Sequence, residues 1–106
     1  MQDKPCFVYV TADRQEGVDR IEEALLNEKL ASCVSVIKGI SSSYWWKGSI
    51  EKAEEKLMMI ATKESLAAEI TKRVNELHSY EVPEVAVVEI KNGNENYIKW
   101  IMENTK

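Results

Sequence analysis

A chain of 106 residues has room for one compact core and none for a second, so residues 1–106 are read as a single domain. Apolar residues make up 44% and charged residues 30%, the balance of a soluble globular protein, and the longest apolar run, Leu57 to Ala61, is too short to span a bilayer. The net charge is −4 and no basic run exceeds Lys72-Arg73, which argues against nucleic acid or anionic lipid as a partner.

The opening MQDKPCF lacks the apolar stretch of a signal peptide, so a cytoplasmic location is expected. CFVYVTA is rich in β-branched and aromatic residues and predicts a buried first strand. Asp13 follows as the expected N-cap, with Glu16 where a capping-box acid sits. Val18, Ile21, Ala24 and Leu25 recur at helical spacing and carry a first helix to about Asn27. ASCVSVIKGI predicts a second strand that stays extended through three serines to Tyr44-Trp45-Trp46. Lys47-Gly48 offers a tight turn, and Ile50 to Thr62 returns as a third strand. That turn sets Trp46 opposite Ser49, Tyr44 opposite Glu51 and Ile40 opposite Glu55, unless a bulge at Gly39 or among the serines shifts the register.

KESLAAEITKRVNELH predicts a second helix with Leu66, Ile70, Val74 and Leu77 on its inner face. VAVVEI predicts a fourth strand, Asn92-Gly93 a turn, and NENYIKWIMEN a closing helix capped by Asn94, with Tyr97, Ile98 and Ile101 turned inward. The two cysteines, Cys6 and Cys33, form no CxxC pair and are read as reduced residues on strands.

The order is βαββαβ with an added C-terminal helix: an α+β, ferredoxin-like sandwich with a long hairpin between its second and third strands. Strands 1 and 2 run parallel through a right-handed crossover, with strand 3 between them. Each hairpin arm is about a dozen residues and reaches about 40 Å. A domain of this length has a radius of gyration of about 13 Å, so the arms overrun the body. The aromatic tip on an open strand edge predicts a partner surface, and self-association is the economical partner.

LHSYEVPEV, residues 77–85, holds the only histidine. A metal reading uses the imidazole of His78 with the carboxylates of Glu81 and Glu84, acceptable ligands for copper or zinc, but without an HExxH spacing. A catalytic reading pairs His78 with Glu81 or Tyr80, but no activated nucleophile accompanies them, so no enzymatic turnover is expected. A structural reading lets Pro83 steer the chain out of the helix and His78 bond the last helical carbonyls.

The chain resembles the CutA divalent-cation tolerance proteins. The resemblance rests on VYVTADRQEG, on the Leu-Ala-x-Cys stretch and Tyr-x-Trp-x-Gly tip of the hairpin, on His-x-Tyr-Glu-x-Pro-Glu, and on NENYIKWI. It implies a homotrimer whose hairpins pair edge to edge, with polar residues gathered in clefts between subunits. The cleft positions it implies are Tyr44, Trp46, Lys47, Glu54, Lys63 and Tyr80, with His78, Glu81 and Glu84 as metal ligands. It implies a divalent-cation, foremost copper, tolerance function without catalysis. The alternative is a trimeric ligand-sensing or scaffold module resembling the nitrogen-regulatory trimers, favoured by Lys47 and Lys63 near a shared cleft. Some CutA members carry Cys before the Thr-Ala of strand 1 and a His-His pair opening the signature. Val10 and Leu77 stand there in this chain, so the expected copper binding is weak.

Overall fold

A computed structural model describes residues 3–106. The chain runs β1 (Pro5–Ala12), α1 (Gln15–Asn27), β2 (Cys33–Trp46), β3 (Ser49–Lys63), a 3-10 turn (Glu64–Leu66), α2 (Ala67–Leu77), β4 (Val85–Glu89) and α3 (Glu95–Glu103). The strands form one sheet in the order β2-β3-β1-β4, each neighbouring pair antiparallel, which leaves β1 and β2 parallel as expected. No helix among the described residues is long and apolar enough to cross a membrane.

Alternation along the strands decides which side chains meet the helices. Cys6, Val8 and Val10 of β1 stand opposite Thr62, Ile60 and Met58 of β3, and all six are buried. Val18, Ile21 and Leu25 of α1 and Ile70 and Val74 of α2 close over this face. Thr62 keeps its hydroxyl satisfied in the core by donating to the Leu30 carbonyl at 2.6 Å. Outside the core, Arg73 of α2 grips Glu28 after α1 through the Nε and Nη2 groups of one guanidinium edge, at 3.0 and 2.7 Å.

The hairpin follows the predicted register: Trp46 pairs with Ser49, Tyr44 with Glu51 and Ile40 with Glu55. Lys47 and Gly48 both have positive φ, the requirement of a two-residue primed turn. A bulge lies between Ile37 and Ile40, where Gly39 takes φ +79°. β1 ends opposite Lys56, so residues 49–55 of β3 pair with β2 alone and the hairpin overhangs the sheet. The longest dimension is 43 Å and the radius of gyration 14.3 Å, above the value of about 13 Å for a compact chain of this length.

Three local expectations are corrected. The N-cap of α1 is Arg14, in extended conformation and without a side-chain cap, and not Asp13. β1 ends at Ala12 as expected, but the first helical residue is Gln15, which makes Arg14 the flanking residue; the Asp13 carbonyl accepts from the Lys56 ammonium. Tyr97 of α3 is exposed and stacks on Trp100, while Ile101 is the residue that is buried. α2 begins as a 3-10 turn and ends at Leu77, so His78 is an extended C-cap and not part of the last helical turn. The Asn94 cap forms as expected, accepting from the N–H groups of Asn96 and Tyr97.

Candidate functional site

The segment between α2 and β4 crosses the end of β1 and comes to rest beside the overhanging part of β3. His78 fixes that crossing. The backbone N–H of Tyr80 can only donate, so the Nδ1 atom of His78, 3.0 Å away, accepts. The Thr11 carbonyl can only accept, so Nε2–H donates to it at 2.6 Å. Both ring nitrogens are therefore committed to backbone, one to β1 and one to the connecting segment. The imidazole does not bond the helix carbonyls, as its place in the sequence suggested. It ties residues 78–80 to a strand 67 positions away in the chain.

Tyr80 continues the chain of contacts. Its ring lies 4.5 Å from that of His78, and its hydroxyl donates to Oε2 of Glu55 at 2.7 Å. Burial, reinforced by the bonded Glu55 carboxylate, pushes the Tyr80 phenol well above its ordinary pKa. Glu55 is only 6% exposed, an unusual position for a carboxylate.

These groups form one wall of a cavity of about 790 Å³. Its other lining residues include Thr11, Ser42, Ser43, Tyr44, Trp45 and Trp46 from β1 and the hairpin, and Glu81, Val82, Pro83 and Glu84 from the connecting segment. Strand parity accounts for Ser42, Tyr44 and Trp46, which share the face that Glu55 presents, whereas Ser43 and Trp45 alternate to the other face. At the mouth, the Lys47 ammonium lies 5.5 Å above the Trp46 ring and 4.0 Å from Oε2 of Glu81. Both ends of that ion pair are mostly exposed, so it adds little stability.

Of the residues expected to share a cleft, Tyr44, Trp46, Tyr80, Glu81 and Glu84 line this cavity and Lys47 sits at its rim. Glu54 does not line it; Glu54 is exposed on the opposite face of β3, and its neighbour Glu55 is the inward carboxylate. Lys63 is at the far end of β3, with its ammonium 3.5 Å from the Met102 carbonyl of α3. His78 lies behind Tyr80 and borders a separate small hollow with Asp13 and Arg14. Among the described residues no three His, Cys, Asp or Glu side chains gather closely enough to hold a metal ion. Val10 is buried in the core, so it neither ligates nor faces the cavity. Cys6 and Cys33 are free thiols; burial pushes Cys6 up to about 11, away from the thiolate that metals prefer.

Comparison with known proteins bears on the whole of this architecture. Residues 6–104 match the family described as CutA1 divalent ion tolerance protein. The chain is 41% identical to a chloroplastic protein CutA 1 of Oryza sativa over 93% of its own length and 56% of the relative's. It is 36% identical to a divalent-cation tolerance protein CutA of Thermus thermophilus, over 92% and 95% of the two chains. It thus spans about half the length of the rice relative and nearly all of the bacterial one. The crystal structure of CutA1 from Oryza sativa superposes with a TM-score of 0.93 at 40% identity, covering 97% of this chain and 94% of that one.

Proposed function

Because the chain belongs to the CutA1 divalent ion tolerance family, we propose that it serves divalent-cation tolerance by binding, without turnover, as a homotrimer. The observation that carries the assembly is the overhanging hairpin. Trp45 is 72% exposed and Ile50 61% at its tip, and Ile37 and Val88 remain uncovered on the sheet. Apolar groups so placed on an open strand edge call for a partner, and further copies of the same chain supply it symmetrically.

Cation binding in this reading is weak and uses carboxylates, Glu81 and Glu84, brought towards donors of a neighbouring subunit. His78 is a support for this site and not a ligand, since both its nitrogens are engaged. Hard oxygen donors do not select copper over other divalent ions as thiolate and imidazole do. Calorimetric titration of the full chain with Cu(II), Zn(II) and Mg(II) tests this. The expected outcome is weak binding of all three, reduced in a Glu81→Gln, Glu84→Gln double variant. Tight, copper-selective binding that survives in that variant contradicts it.

A second reading, a trimeric ligand-sensing module, is favoured by one specific observation: a cavity of this volume lies within the range that holds small organic molecules.

A further inference from the structure

Between β4 and α3 the chain carries Asn92-Gly93, a pair that lines neither the cleft nor the hairpin. Both residues are exposed and belong to no helix or strand. Of the six asparagines in the chain, Asn92 alone is followed by glycine; Asn27, Asn75 and Asn94 precede glutamate, Asn96 a tyrosine and Asn104 a threonine.

The local geometry brings two reactive groups together. The Gly93 N–H donates to Oδ1 of Asn92, so its nitrogen lies beside the side-chain amide of the preceding residue. No backbone carbonyl of a described residue accepts that N–H, so it is not tied into a helix or a sheet ladder as most backbone amides are. Reaction needs the attacking atom within about 3–3.5 Å of its target. Oδ1, the atom bonded to the Cγ carbon, already lies 2.9 Å from the nitrogen. The torsion of a terminal amide is broad, and in an exposed residue it turns freely. Glycine at 93 places no Cβ beside the nitrogen to crowd it or to hinder the backbone twist of ring closure.

We propose that Asn92 is a site of self-modification through a cyclic imide, with Gly93 as the attacking residue. The Gly93 nitrogen gives its proton to solvent base and forms a bond to Cγ of Asn92. The Cγ–Nδ2 bond breaks, and Nδ2 leaves as ammonia with a proton drawn from water. Water then opens the imide. Attack at Cγ gives aspartate; attack at the main-chain carbonyl of residue 92 gives isoaspartate, in which the chain runs through the side-chain carbon. Nothing is oxidised or reduced, and water is the only co-reactant.

The two products differ in what they do to α3. Its C-terminal end is held by buried Ile101, by the Thr105 hydroxyl on the Ile101 carbonyl and by the Lys106 N–H on the Lys29 carbonyl. Its start has less: the Asn94 cap, and the side chain of Ile98 beside Gly93. Aspartate keeps this backbone and adds a negative charge near a helix N-terminus, which the helix dipole favours. Isoaspartate adds a methylene to the main chain just before the cap, and Asn94 then no longer meets the N–H groups of Asn96 and Tyr97.

The test incubates the full chain in its native assembly at mildly alkaline pH and follows every asparagine by peptide mapping that separates aspartate from isoaspartate. Asn92 is expected to convert at least about tenfold faster than any of the other five, a difference of about 1.4 kcal/mol in the barrier. Gly93→Ala suits the fold, because φ at 93 lies outside the left-handed region and the new methyl meets Cδ1 of Ile98 at 3.6 Å, an ordinary contact. That variant is expected to slow conversion by about tenfold. Conversion in the native assembly is expected to be no slower than in the urea-unfolded chain. Amide exchange at Asn96 and Tyr97 is expected to quicken in the isoaspartate form and to stay unchanged in an Asn92→Asp variant. Conversion spread evenly over the asparagines, unaffected by Gly93→Ala, or suppressed about tenfold by folding overturns the proposal. Isoaspartate at 92 with unchanged exchange at Asn96 and Tyr97 overturns its consequence for α3.

Discussion

Replacing His78 by alanine separates a structural histidine from a metal ligand, because the two roles predict opposite results in metal-free protein. The ring makes two hydrogen bonds to backbone, at 2.6 Å to the Thr11 carbonyl and 3.0 Å from the Tyr80 N–H. Each ordinary hydrogen bond contributes a net of about 0.5–1.5 kcal/mol, so the pair is worth about 1–3 kcal/mol. Thr11 is only 7% exposed, and its carbonyl gains no new partner from a methyl group. A buried acceptor left unpaired adds a cost of roughly 1–3 kcal/mol, lessened where water enters the space vacated by the ring. The expected loss is about 2–4 kcal/mol in total, read by urea unfolding of the metal-free protein. Tyr80 also loses its anchor, so its hydroxyl should drift from Glu55 and its raised phenol pKa should fall towards the ordinary value. A loss under about 0.5 kcal/mol without metal, a level ordinary for surface changes, refutes the reasoning. So does an unchanged tyrosine titration.

Two further outcomes follow from single residues. Burial holds the Cys6 thiol at about 11 against a free value of 9.0, so the unfolded chain loses that proton first. Stability from this group is complete below about pH 9 and declines as pH rises towards 11, which unfolding curves across that window check, with Cys6→Ala flattening the decline. Gly39 has open space around it but a φ of +79°, so Gly39→Val is expected to cost about 1–3 kcal/mol through backbone strain alone, while Gly39→Asn costs less, measured by denaturant midpoint.

The elements were legible because each carries a local signal. The helical spacing of Val18, Ile21 and Leu25 and of Ile70 and Val74 marks the residues that cover the sheet. The Lys47-Gly48 turn alone fixes the pairing of the hairpin arms as far back as Ile40, and the glycine at 39 marks the bulge beyond. The site was legible only in part. Tyr44, Trp46, Tyr80, Glu81 and Glu84 could be grouped, yet the choice between Glu54 and Glu55 depends on which face of the overhang the segment 80–84 folds across. Parity offers a clue, since Glu55 shares its face with Leu57 and Met59, but no residue near it announces Tyr80 as its partner. The role of His78 was hidden for the same reason. Its acceptor is a backbone carbonyl of β1, and backbone atoms leave no mark in a sequence. Lys63 stands apart from the others within one chain because a strand of 15 residues carries its two ends to opposite poles of the fold.

Assembly of the chain through its overhanging hairpin is the claim on which the cleft, the cation reading and the exposed aromatic tip all depend. Sedimentation equilibrium of the full chain at micromolar concentration measures it directly. Three chains per particle are expected, with Trp46→Ala shifting the distribution towards smaller species before circular dichroism changes. A homogeneous monomer at that concentration, with Trp45 and Ile50 still bare at the tip, contradicts the account.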